Sequence, residues 1–219
     1  YPLDVETEMA IARQEATPLE SDGLAVSIPE HMVEIVATFS QLARQSSHIN
    51  QRSGVSVRLT VTNLETLVAN AARRALRAGE SEVVPRVCDL EALAASTSGK
   101  VELDVLDDDG GEVVERLLRQ AVLTVFRDRL DPVELRGVLD AFDDGRVIHA
   151  GEDVAATAEA DLVAEISALR EAVEQLVGSD ERAAVVASAV EFVLEGLHLS
   201  KRLNKDTDEM GVRATYRSR

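Results

Sequence analysis

Apolar residues recur at intervals of three and four over most of the chain, which is the spacing of one buried helical face. Proline suits a first helical turn, so Pro29 marks the start of one helix. Ser56 is a plausible N-cap for the next helix, and Gly79 and Gly99 are typical residues after a last turn. Helices are therefore predicted in the first half over residues 4–17, 29–45, 56–78 and 85–97.

The second half shows the same periodicity, with its sharpest stripe near the end. Leucine, isoleucine and valine step by four and three through residues 162–176, which is an a/d seam. The Gly178-Ser179 break then leads into another apolar helix, so the two should pair as a long antiparallel hairpin. Residues 146–150 form a short extended segment in this prediction, and the last dozen residues are expected to fray. The predicted helices cover residues 112–130, 132–142, 156–177 and 180–204.

Composition agrees with a chain built from helices. Aromatic residues make up only 3%, so the core must be aliphatic. We predict an all-α fold in two parts. The first is a four-helix domain over residues 1–98. The second is a helical domain over residues 99–219, with an acidic loop at 104–111 and a basic flexible tail from about 206.

Several features of the sequence indicate a cytoplasmic protein. Cys88 is alone, which fits a reducing compartment. The unbroken apolar runs are far too short to span a membrane, and no signal-like segment opens the chain. Because the sequence begins at Tyr1 and not at methionine, we expect it to be a piece of a longer protein.

The net charge of −17 is unevenly distributed along the chain. Residues 38–100 carry eight basic and five acidic side chains, whereas residues 101–200 carry eight basic and 24 acidic ones. An acidic protein is a poor general binder of nucleic acid, because phosphate contacts supply most of that affinity. The basic segment could still meet a small polyanion; the alternative is ordinary solvated charge on a helical surface.

The residue patterns of self-sufficient enzymes are missing. There is no GxxxxGK[ST] loop for phosphates, and no GxGxxG follows a strand. The four histidines are scattered and the cysteine is unpaired, so a zinc site is not expected. Cys88 falls in a segment predicted as an aliphatic helix, where a packed thiol is the simpler interpretation. We interpret the acidic loop as solvated, so no metal site is predicted.

One short segment, residues 48–58 (HINQRSGVSVR), is unusual for its charge. Arg58 lies at the opening of a predicted helix, where the helix dipole favours anions and disfavours cations. Either this arginine is incidental and faces solvent, or it reaches a negative group.

The order of elements over residues 1–98 resembles the helical lid of AAA+ ATPases of the magnesium-chelatase and MoxR type. Lids of this type carry a Gly-x-Ser-x-Arg signature, which Gly54, Ser56 and Arg58 match. The C-terminal residues 191–205 resemble the ending of an actinobacterial magnesium-chelatase-like subfamily. Further matching segments are Tyr1-Pro2, 8–11, 13–15, 28–32, Ala43-Arg44, 49–58, 82–85 and Asp89-Leu90.

The resemblance implies a role for these residues in nucleotide sensing. Arg58 would be the second sensor, which reaches the γ-phosphate of ATP. Guanidinium suits that role because it is always charged and forms paired hydrogen bonds to phosphate oxygens. Arg52 and Arg44 are weaker candidates, and Arg52 could instead stabilise the loop.

The resemblance also implies an assembly. ATP and Mg²⁺ would be held by an ATPase core that this chain lacks, so the chain alone should not hydrolyse ATP. The parent would form a ring, expected to be a hexamer, and work with a von Willebrand factor A domain protein. Its reaction would be ATP hydrolysis that drives metal insertion or protein remodelling.

An alternative from another functional class is a non-enzymatic interaction module. Residues 156–205 would then present the seam of their hairpin to a partner protein, and the acidic surface would suit a basic client. No membrane or nucleic-acid partner is expected under either hypothesis.

Overall fold

α-Helices account for most of the chain in the computed structural model, which describes residues 4–17, 24–50, 54–98, 100–101, 110–143 and 145–219. This confirms a mostly helical fold. A 3₁₀ helix, Val87–Glu91, precedes α4. The α-helices are α1 Val5–Glu15, α2 Glu30–Gln45, α3 Arg58–Ala78, α4 Ala92–Ser98, α5 Gly110–Arg129, α6 Arg136–Asp143, α7 Ala156–Glu165, α8 Ser167–Val177 and α9 Ala183–Leu199.

The local chemistry at the helix ends explains where α1, α2 and α3 begin or stop. The Asp4 side chain accepts a hydrogen bond from the Thr7 N–H at 2.7 Å and caps α1. Pro29 sits immediately before α2, as predicted. Gly79 follows α3 with φ +70°, and its N–H bonds back to the last helical carbonyls, which confirms the predicted stop. Gly99 lies outside the described residues.

Two small sheets accompany the helices. β1 (Ala25–Val26) pairs in parallel with β2 (Glu82–Val83). β3 (Val147–Gly151) confirms the predicted extended segment, and it forms one edge of an antiparallel sheet in the order β3-β5-β4. The other strands of that sheet are β4, Leu203–Thr207, and β5, Arg213–Ser218.

The prediction of a flexible tail from about residue 206 is therefore wrong. β4 and β5 form a hairpin, and β5 is the central strand of its sheet. Tyr216 on β5 is 3% exposed and lies opposite Ile148 on β3, so the chain end contributes to the core. Arginine and threonine occupy alternate positions of β5 and make this half-buried strand look polar in sequence.

The long C-terminal hairpin also differs from the prediction. The helix expected over residues 156–177 is broken at Ile166, whose φ of −123° and ψ of 97° are extended. α7 and α8 each pack against α9. All residues of α9 from Ala184 to Leu197 are buried, so the expected seam faces the chain's own core.

The core is continuous across the two halves of the chain. One cluster of buried side chains includes Phe39 and Leu93 from the first half and Phe126 and Phe192 from the second. α2 and α5 pack directly against each other. The domain boundary expected near residue 98 is thus bridged by shared core packing.

Within the described part of the chain, no helix is both long enough and apolar enough to cross a bilayer.

Candidate functional site

The segment Gly54–Arg58 forms a tight entry into α3, and each residue of the Gly-x-Ser-x-Arg pattern has a separate structural position. Gly54 adopts φ +66°, a conformation that favours glycine. The Ser56 hydroxyl accepts a hydrogen bond from the Arg58 N–H at 3.3 Å, and the Ser56 carbonyl accepts one from Leu59 at 2.9 Å. Ser56 thus steadies the turn two residues before the helix begins, whereas the prediction placed it at the N-cap itself.

Arg58 is the first residue of α3 and is exposed to solvent. Its guanidinium group makes no hydrogen bond or ion pair with any residue that the structure describes. The first turn of α3 contains no acidic residue either, so nothing there offsets the unfavourable helix dipole.

A buried ion pair fixes the segment that leads to Arg58. The Arg44 guanidinium binds both carboxylate oxygens of Glu8, which is fully buried. The Arg44 Nε–H also donates to the Val55 carbonyl at 2.9 Å. Thr60 donates to the same Glu8 carboxylate and lies 2.8 Å from the Ser40 hydroxyl, so α1, α2 and the start of α3 meet in one hydrogen-bonded network.

This network corrects one of the weaker site predictions. Arg44 was a candidate for contact with a ligand, but its side chain is only 14% exposed and is committed to Glu8. Arg44 therefore holds the loop in position through its contact with Val55. Arg52, the other weak candidate, lies outside the described residues.

Most of the described basic residues between positions 38 and 100 have partners within the protein. Arg73 and Arg77 pair with Glu152, and the Lys100 ammonium group donates to the Ser96 carbonyl at 2.8 Å. The remaining members with internal partners are Arg44, Arg74 and Arg86. Among the described basic residues of this segment, Arg58 alone has a side chain without a partner. The positive charge of the segment is therefore divided between buried pairs and surface contacts.

Periodicity alone did not predict a buried ionic cluster between α3 and the C-terminal half. Arg74 is 2% exposed, and its guanidinium lies 3.0 Å from Asp89 and 3.2 Å from Glu80. Arg86 is fully buried and lies 2.9 Å from Glu80 and 3.5 Å from Glu159 on α7. The cluster therefore ties α3 to α7 through charged groups.

A signal for this cluster was present in the sequence. Arg74 follows Leu67 by seven positions and Ala71 by three, so it belongs to the apolar face of α3. A charged residue on such a face needs a buried partner.

The pKa values of the cluster favour structure over acid–base or nucleophilic chemistry. Burial opposes the charge of Arg74, but the adjacent Asp89 carboxylate outweighs it and raises the pKa of the guanidinium. Burial, and then the charge of Glu191, raise the pKa of Glu159 well above its usual range, against the opposing charge of Arg86. The same two causes raise the pKa of the Cys88 thiol, which is therefore uncharged and a weak nucleophile.

Within the described ranges, no three histidine, cysteine, aspartate or glutamate side chains are grouped so that they could hold a metal ion. The predicted acidic loop covers residues 104–111. Residues 104–109 lie outside the described ranges, and Gly110 and Gly111 belong to α5.

Comparison with known proteins identifies no relatives. No family model, no curated protein and no solved structure matches the chain.

Proposed function

We propose that the chain is the lid and C-terminal region of a magnesium-chelatase-like or MoxR-like AAA+ ATPase, and that Arg58 senses bound nucleotide. The ATPase core, with its ATP and Mg²⁺, would lie on a separate segment of the parent protein. The parent would work in the cytoplasm as a ring, expected to be hexameric.

The observation that carries this proposal is the position of the Arg58 guanidinium, which has no partner among the described residues, at an unfavourable helix end. A cation at the first turn of a helix is typically unfavourable by about 0.3–1 kcal/mol. A negative ligand supplied from outside the chain would remove that conflict.

The buried pair behind Arg58 supports the same function. A sensor must be held within a fraction of an ångström of its target, which requires a rigid support. Arg44 holds the Val55 carbonyl, and Glu8 holds Arg44, so the turn before α3 is fixed from α1 and α2. Because an arginine offers paired donors in a fixed plane, a rigid turn would aim them at phosphate oxygens.

The same contact could couple hydrolysis to motion. An interaction with the γ-phosphate exists only before hydrolysis, so its loss would release the lid from the core. In a ring, that movement would change the contacts between neighbouring subunits. A partner with a von Willebrand factor A domain would then receive the movement during metal insertion or protein remodelling.

The decisive experiment is an Arg58→Ala substitution in the protein that joins this chain to its ATPase core. Arginines that stabilise phosphoryl transfer can change kcat by about 10³-fold or more, so we expect at least a tenfold loss of steady-state ATP turnover. Far-UV circular dichroism should be unchanged, because the Arg58 side chain is exposed and bonds nothing in the described chain.

Arg116→Ala is the matched control. Arg116 is also exposed and without a described partner, but it lies within α5, away from a helix start. Its removal should leave ATP turnover unchanged. The sensor assignment would be refuted if Arg58→Ala turned over ATP at the wild-type rate. The whole proposal fails if the parent gene encodes no phosphate-binding loop.

The alternative, an interaction module that uses residues 156–205, has less support. Under this hypothesis the hairpin seam would be the docking surface. However, α9 is buried from Ala184 to Leu197. The seam residues Leu169, Val173 and Leu176 also pack into the core. Most of the expected seam is therefore already used within the chain, although Leu162 remains half buried.

A further inference from the structure

A cavity of about 500 Å³ lies between the 3₁₀ helix, α5, α9 and the three-stranded sheet. Pockets that hold small ligands commonly have volumes of about 300–1,000 Å³. None of the residues from Gly54 to Arg58 lines this cavity. Any function it has is therefore separate from the proposed nucleotide contact.

One side of the cavity is apolar. Leu90 lies in the 3₁₀ helix, and Leu118 and Val122 lie one helical turn apart on α5. These side chains present aliphatic surface and no hydrogen-bonding groups. A ligand with a hydrocarbon portion would bury it against this wall.

Two glutamates that line the cavity, Glu191 and Glu195, already have hydrogen-bond partners. Glu195 is 6% exposed; it accepts a hydrogen bond from the Tyr216 hydroxyl at 2.7 Å and one from the Lys205 ammonium group at 2.8 Å. Glu191 is 3% exposed and accepts the Cys88 N–H at 2.9 Å. These buried carboxylates therefore need no ligand.

Glu91 differs from the other carboxylates in the cavity. Within the described chain its carboxylate has no hydrogen bond and no ion pair. Partial burial raises its pKa, and the charges of Glu152, Glu115 and Glu195 add to that effect against the opposing influence of Lys205. The nearest effective positive charge is that of Lys205, but its ammonium group is bound to Glu195.

The charge of the whole lining has the same sign. Four glutamates and two basic residues line the cavity, a formal charge of −2. Both bases have an acidic partner, because Lys205 binds Glu195 and Arg119 pairs with Glu115 on α5. An anion would be repelled here, and a neutral apolar ligand would cover the partly exposed Glu91 carboxylate without giving it a partner.

We propose that this cavity binds a small aliphatic amine as its ammonium cation, with Glu91 as the counter-ion and the alkyl chain against Leu90, Leu118 and Val122. The ligand class follows from two features that line the same cavity: a carboxylate with no partner among the described residues, and an aliphatic wall.

Three probes of equal chain length test the proposal by isothermal titration calorimetry at pH 7. Hexylammonium should bind saturably with one site per chain. Hexanol and hexanoate should each bind at least about tenfold more weakly than hexylammonium. Hexanol carries no charge to pair with Glu91, and hexanoate is repelled by it. Equal affinity for all three probes, or no saturable binding of hexylammonium below about 10 mM, would overturn the proposal.

A pair of variants locates the site. Glu91→Gln should weaken hexylammonium binding at least about tenfold, since it removes the charge but keeps the shape of the side chain. Glu112→Gln makes the same change at an exposed position of α5 outside the cavity, and its affinity should equal that of the wild type. Both side chains lie outside the buried core, so both variants should fold. Wild-type affinity in Glu91→Gln would reject Glu91 as the counter-ion.

Discussion

The buried pair of Glu8 and Arg44 should be the most sensitive ionic contact around the start of α3. Glu8→Ala would leave the Arg44 guanidinium charged and only 14% exposed, with the Val55 carbonyl as a remaining partner. Removal of one member of a buried ion pair typically destabilises a protein by about 3–5 kcal/mol. Because Arg44 keeps some access to water and one hydrogen bond, we expect a loss near the lower end, about 3 kcal/mol.

The change in unfolding free energy can be measured by urea denaturation at pH 7, followed by circular dichroism. For a chain of this size, about 3 kcal/mol corresponds to a fall in Tm of about 6–12 °C. The double variant Glu8→Ala/Arg44→Ala should recover part of the loss, because it removes the unpaired charge as well.

An exposed pair of the same chemistry provides the control. Arg13 and Glu30 also join α1 to the start of α2, but both side chains are nearly half exposed. Such surface pairs contribute about 0–1 kcal/mol, so Glu30→Ala should change the unfolding free energy by less than about 1 kcal/mol. If Glu8→Ala destabilised the protein no more than Glu30→Ala, the argument for a rigid support behind Arg58 would be wrong.

Two further predictions concern the core. A Cβ at Gly196 would lie 2.0 Å from the Phe126 ring, so Gly196→Ala should destabilise the chain by about 1–3 kcal/mol or more in urea, whereas Gly111→Ala, with open space, should be neutral or stabilising. Burial, and then Arg129, lower the pKa of His31 to about 3. The unfolded chain therefore takes up this proton near pH 6.5, and stability falls by up to about 1.4 kcal/mol per unit as pH drops from there towards 3. A His31 NMR titration midpoint near 6.5 would contradict this.

Features fixed by neighbouring residues were predictable from the sequence. Pro29 and Gly79 act through their own backbone, one by a fixed φ and one by tolerance of positive φ, and both mark helix ends in the structure. The opening of α3 at Arg58 belongs to the same class. Its unusual charge is visible without any knowledge of the fold, because the helix dipole is a local property.

Features that depend on distant partners were not predictable in this way. β5 becomes a strand because β3, far away in sequence, pairs with it, and Ile148 lies opposite Tyr216. The break at Ile166 depends on α9, against which both flanking helices pack. Periodicity within one segment cannot reveal which surface a second segment offers.

The proposed amine site illustrates the same limit. In the sequence, nothing distinguishes Glu91 from any other exposed glutamate. It acquires significance only because α5, α9 and the terminal hairpin bring an aliphatic wall and further carboxylates around it. Those elements are folded together by nonlocal contacts, so no motif of fixed spacing marks the site.

The two ends of α3 together constrain how a signal from Arg58 could travel. The helix has 21 residues and spans about 30 Å. Arg58, which has no partner among the described residues, lies at one end, and the buried Arg74 lies near the other. Arg74 is bound to Asp89 and Glu80, and Glu80 also binds Arg86. A slide of α3 against its neighbours would have to separate these buried charges, which is energetically expensive. We therefore expect any displacement that begins at Arg58 to move α3 and the C-terminal helices as one rigid body, not by rearrangement within the chain.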